Sequence, residues 1–144
     1  MNEDSARWLA QAIEDIATAQ ILLDAERFGP CAFFSQQAAE KALKAVLYAV
    51  DERPWGHSVA SLLDQIAVVT ESKIDDDLHY GAQALDEHYV RPRYPDARSE
   101  IDEAYDEEVA QDALNDAHNV VAFAQKSINN ARTVSDDEPT ADLG

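Results

Sequence analysis

The sequence predicts an all-α fold, an up-and-down antiparallel bundle of four to five helices, on three observations. Alanine is abundant while glycine and proline number four and five, a balance that favours helices and starves a β fold of turn residues. Apolar residues recur at three- and four-residue spacing along five stretches, without the alternation of half-buried strands. A length of 144 residues with 46% hydrophobic content suffices for one core, and the lone Cys31 offers no disulfide framework.

The first helix is predicted over residues 4–27. Its stripe is Leu9, Ile13, Ile16, Gln20 and Leu23, widened by Ala12 and Ala19. Gly29 is placed to end it and Pro30 to open the second helix, 30–50. Ala38, Ala42, Ala45 and Ala49 form a strip of small residues there that admits a close neighbour. Phe33, Phe34, Leu43, Val46 and Leu47 point in other directions, so this helix is expected at the centre. The connector "DERPWGHS" leads to Ser58, a cap for a third helix at 59–70 with the stripe Val59, Leu62, Leu63, Ile66 and Val69.

A fourth helix is predicted over 73–89, carrying Ile74, Leu78, Ala82, Leu85 and Tyr89. Pro92 and Pro95 forbid its continuation into "VRPRYPDARSE". The fifth, 107–131, is lined by Ala110, Ala113, Ala117, Val121, Ala124 and Ile128, with acidic residues loaded into its first turn. Residues 133–144 lack apolar periodicity and read as a disordered acidic tail, leaving 1–132 as the one domain.

The formal charge is -18, from 29 acidic and 11 basic residues. Such a surface repels phosphate backbones at long range, which argues against DNA as a partner. A saline cytoplasm, as in a halophile, would screen that self-repulsion and accounts for the balance; a basic partner protein is the lesser explanation. A lone cysteine, an acidic N-terminus unlike a signal peptide and the lack of any membrane-length apolar run place the expected location in the cytoplasm. No glycine loop, zinc set or other cofactor signature occurs, and "DDDLH" reads as an exposed first turn rather than a cation site. Cys31 sits in an apolar context suited to packing.

Two places stand out against this background. On the second helix Gln37, Lys41, Lys44 and Tyr48 form a polar stripe beside Glu40. They are either one wall of a polar site or a solvent face with a Glu40–Lys44 pair worth about 0.3 kcal/mol. In the segment after the fourth helix, Arg91, Arg93 and Arg98 fall within eight residues, beside Tyr94 and Asp96. They are either anion receivers or a structural clamp in which Arg93 forks onto a carboxylate such as Glu40.

The stretches "FFSQQAAEKALKAVLYA" (33–49), "GHSVASLL" (56–63) and "LDEHYVRPRYPDA" (85–97) together resemble the HEPN domain, the higher eukaryote and prokaryote nucleotide-binding domain, over about residues 4–130. The resemblance implies a helical bundle that forms a homodimer. For a small prokaryotic member it implies a minimal nucleotidyltransferase as partner in a toxin–antitoxin-like pair. Some branches are metal-independent ribonucleases using an arginine and a histidine with four to six residues between them. Here Arg53 and His57 have three residues between them, in a connector, and His118 has no arginine suitably upstream. The expectation is therefore a non-catalytic protein binding a nucleotide or phosphate ligand between the second helix and the arginine segment. Arg91, Arg93, Lys41 and Lys44 would supply charge, Tyr94 a stacking ring and His57 a hydrogen bond. Gln37 and Glu40 would line the groove, and Asp96 would orient an arginine. A divergent ribonuclease toxin and a purely structural interaction module are the alternatives.

Overall fold

The computed structural model describes residues 2–89 and 105–137. They form five helices: α1 (Glu3–Asp24), α2 (Phe28–Ala49), α3 (Val59–Thr70), α4 (Asp76–Asp86) and α5 (Glu107–Asp137). No strand occurs among the described residues, and the all-α bundle is as the composition and periodicity require.

The side chain of Asn2 opens α1 by accepting from the Ser5 amide at 2.8 Å. The helix closes earlier than its apolar spacing implies, because Glu26 takes the left-handed conformation (φ 60°) and the Arg27 amide reaches back to the Leu22 carbonyl at 2.8 Å. Gly29 therefore ends nothing. It lies with Pro30 in the first turn of α2, where a missing N–H leaves no intrahelical bond broken.

Ala12 and Ala19 of α1 are fully buried while Ile13 is 47% exposed, so the contact stripe is rotated from the one the large residues suggest. The cause lies across the interface. Ala38, Ala42 and Ala45 of α2 are fully buried, so the backbones come close and small residues take the seam. The Ser5 hydroxyl donates to the Ala45 carbonyl at 2.8 Å across it. As expected, α2 is central, packing against α1, α3, α4 and α5.

The connector after α2 does not simply turn the chain around. It doubles back along α2, so that Gln36, more than a helical turn before the Lys41–Lys44 region, donates to the His57 carbonyl at 3.1 Å. Ser58 then caps α3 as predicted, accepting from the Ser61 amide at 3.1 Å. A second capping group comes from far in sequence. The Asp86 carboxylate, at the end of α4, accepts from Ser58 Oγ (2.7 Å), Val59 N (2.6 Å) and Ala60 N (3.3 Å). An anion is thereby held at the positive end of α3, tying it antiparallel to α4. Asp75 caps α4, three residues later than its predicted start.

The six stripe positions of α5 are all buried. Its backbone stays helical to Asp137, past residue 133 where the sequence places the start of the tail. Cys31 is fully buried among Ala19, Leu23, Ala110 and Leu114. Burial pushes its thiol pKa up; a Ser35 hydrogen bond opposes this and Asp24 adds to it. Iodoacetamide at pH 8 should therefore leave the native thiol unmodified over hours and label it fully in urea. Rapid labelling of folded protein would contradict this packing.

Candidate functional site

The α-helical period places Gln36, Glu40 and Lys44 on one face of α2, one turn apart. Glu40 is the hub. Its Oε1 accepts from Gln36 Nε2 at 3.2 Å, its Oε2 accepts from Lys44 Nζ at 2.8 Å, and the same oxygen faces His57 Nδ1 at 3.1 Å. Glu40 and Gln36 are buried (4% and 0% exposed), whereas the His57 side chain is 59% exposed. The doubled-back connector thus sets an imidazole at the mouth of a buried carboxylate. A carboxylate accepts, so the ring donates through Nδ1 and turns Nε2 toward solvent. Tyr89, just beyond α4, stacks on the same ring with centroids 5.1 Å apart and planes 13° from parallel.

The rest of the polar stripe is internally neutralised. Lys41 Nζ lies 2.7 Å from Asp15 Oδ2, and Gln11 donates to the other oxygen of Asp15 at 3.1 Å. Lys44, already paired with Glu40, also sits 5.3 Å from the centroid of Trp8, whose ring stacks with Tyr48 at 6.0 Å. Gln37 donates to Gln36 Oε1 at 2.7 Å, orienting that amide.

Of the residues singled out from sequence, Glu40, Lys44 and His57 come together, with Gln37 one step behind. Lys41 turns instead to α1. Buried carboxylates hold both lysines, Asp15 for Lys41 and Glu40 for Lys44, and Lys44 is no solvent face. Arg91, Arg93, Tyr94, Asp96 and Arg98 lie outside the described residues, and with them the clamp between Arg93 and Glu40. No described hydrogen bond joins Arg53 to His57. Arg53 instead lines a groove between the connector and α3.

Gln36, Asp15 and Tyr89 were not singled out as site residues. Gln36 had a legible signal, since Gln36, Glu40 and Lys44 repeat every four residues on an alanine-rich helix. Asp15 and Tyr89 had none, because their partners are distant in sequence.

A cleft between α4 and α5 is lined by Asp75, Asp77, Asp116 and Asn119 together with the apolar Leu78 and Phe123. Burial first, then the neighbouring charge of Asp112, pushes the Asp116 pKa above the ordinary carboxylate value. The folded state therefore holds this proton more tightly than the unfolded chain. The resulting penalty is absent below the unfolded value and complete above the folded one. Asp116→Asn should raise the urea midpoint at neutral pH, with the gain fading as pH falls into the carboxylate range. A gain independent of pH would contradict that origin. Among the described residues, no group of three or more His, Cys, Asp or Glu is arranged to hold a metal ion. Nor, among them, is any helix long and apolar enough to cross a membrane.

Comparison with known proteins converges on one family. The model of the HEPN domain matches residues 5–128. A Methanocaldococcus jannaschii protein named "Putative toxin MJ1304" is 32% identical over 126 residues, spanning 79% of this chain and 81% of the relative. The crystal structure of TT1696 from Thermus thermophilus superposes with a TM-score of 0.78 at 32% identity, covering 88% of this chain and 99% of that one. The archaeal HEPN homologue ST0689 gives a TM-score of 0.73 at 28% identity, covering 88% and 99%.

Proposed function

Because the chain belongs to the HEPN domain family, we propose that it is a toxin-like module that binds a nucleotide or phosphate-bearing ligand and pairs with a minimal nucleotidyltransferase. The observation that carries the ligand reading is the ledge formed by His57 and Tyr89. An exposed imidazole held by buried Glu40 lies flat against a tyrosine ring, and in sequence Arg91 follows Tyr89 by two residues. A ring face suits a base, while an outward nitrogen and arginines that follow closely in sequence suit a phosphate. With Lys41 and Lys44 already paired, cationic recognition falls to Arg91 and Arg93. Similarity to a protein named as a toxin supports the pairing with a partner that restrains it.

Calorimetry with ATP, GTP and AMP in molar salt tests the reading. Saturable binding that weakens about tenfold or more in His57→Ala is the expected result. A folded wild-type sample giving no heat at millimolar ligand would overturn it.

One feature favours a second reading, a divergent ribonuclease. A carboxylate-held imidazole with its far nitrogen exposed is suited to proton transfer. In that case pure protein cleaves RNA without added metal, and His57→Ala abolishes the cleavage. Intact RNA after prolonged incubation leaves the binding reading standing alone.

A further inference from the structure

Beside the connector, three large apolar residues are exposed together. Trp55 is 68% exposed, Val68 75% and Val69 40%, and all three line one groove between the connector and α3. Trp55 is not simply a loose side chain. The Gln65 amide grips its backbone on both sides, with Oε1 accepting from Trp55 N at 3.3 Å and Nε2 donating to Trp55 O at 3.0 Å. Gln65 is itself steadied by Ser61 one turn earlier. The chain around the indole is thereby fixed before any partner arrives, which lowers the ordering cost of using it as an anchor. Most of the Trp55 surface is left open to solvent.

The charges around the groove select its occupant. Glu52 and Asp64 line it, Asp64 69% exposed though one of its oxygens lies 3.1 Å from His79 Nε2, and Asp51 and Glu71 flank it in sequence and are exposed, against Arg53 as the cation among the lining residues. A second copy docking symmetrically would set this acidic rim against itself, on two chains that each carry -18. A segment with an apolar face and basic flanks meets both features. We propose that this groove docks a basic amphipathic helix of a partner protein, with Trp55 and Val68 as the apolar anchors and the carboxylate rim receiving its lysines or arginines. This surface is distinct from the His57–Tyr89 ledge, and the proposal does not depend on what binds there.

The probe is a synthetic amphipathic peptide of leucine and lysine, about fourteen residues long, with a leucine–glutamate peptide of the same pattern as control. The full chain is labelled with 5-fluorotryptophan and followed by fluorine NMR, with Trp8 as the internal reference. The lysine peptide should move the Trp55 resonance saturably and leave Trp8 in place, while the glutamate peptide moves neither. Val68→Asp lies at an exposed position and adds a negative charge, so binding by charge alone would tighten in it. The groove requires instead a loss of about tenfold or more. Absence of any Trp55 shift, or undiminished binding by Val68→Asp, overturns the proposal. A Trp55 resonance that moves with protein concentration alone, and no longer does so in Val68→Asp, also overturns it, in favour of a second copy.

Discussion

Glu40→Ala is expected to lower Tm by about 10 °C, through a loss of about 3–5 kcal/mol. Glu40 is buried, and its two oxygens serve Gln36, Lys44 and His57. Truncation leaves the ammonium of Lys44, a residue only 9% exposed, without its counter-charge and frees the His57 ring. The loss is large because an unpaired ion stays behind, and not because the pair is strongly stabilising in itself. Glu40→Leu combined with Lys44→Leu removes both charges and should recover most of the stability. It should not recover the orientation of His57, so any activity that depends on that ring stays lost. Thermal unfolding of the single and double variants decides the matter. Equal melting temperatures in the two would show that the buried ion pair is not the source.

Asp86→Ala is expected to destabilise by about 2–3 kcal/mol. The carboxylate accepts from one hydroxyl and two backbone amides at the start of α3, and alanine leaves those first-turn donors with water alone. Ser58→Ala, which removes the nearer cap, should cost about 1 kcal/mol, the ordinary value for such a residue. Because Ser58 directly follows His57, loss of Asp86 also loosens the connector that presents the imidazole. Urea titration gives the stabilities, and the His57 ring resonances report the local effect. An Asp86→Ala midpoint no lower than that of Ser58→Ala would show that the long-range cap contributes little.

These two carboxylates mark the boundary between what was legible in the sequence and what was not. Both stand in stretches that carry the family resemblance, yet their tasks differ. Glu40 was visible beside a polar stripe and as a partner for Lys44, because a helix of period 3.6 fixes which neighbours share a face. Asp86 looked like one more acid among many, since its partners, Ser58 and the first residues of α3, lie 26 to 28 residues earlier. The rotation of α1 was hidden in the same way. Ile13 reads as core until the alanine face of α2 draws Ala12 into the seam and Ala19 packs beside Cys31 and Ala110.

By itself the sequence determined the all-α class, the existence of the five helices, the Ser58 cap, the central place of α2 and the alanine stripe of α5. Each follows from periodicity, capping chemistry or small-residue content, which act within a few residues of one another along the chain. The tertiary structure alone decided that the connector runs back along α2, that His57 meets Glu40 and Tyr89, and that Lys41 is neutralised by Asp15. Those are pairings across long stretches of chain, and no local spacing encodes them. They depend on how closely two helices approach and where a connector re-enters, quantities set when the whole core packs at once.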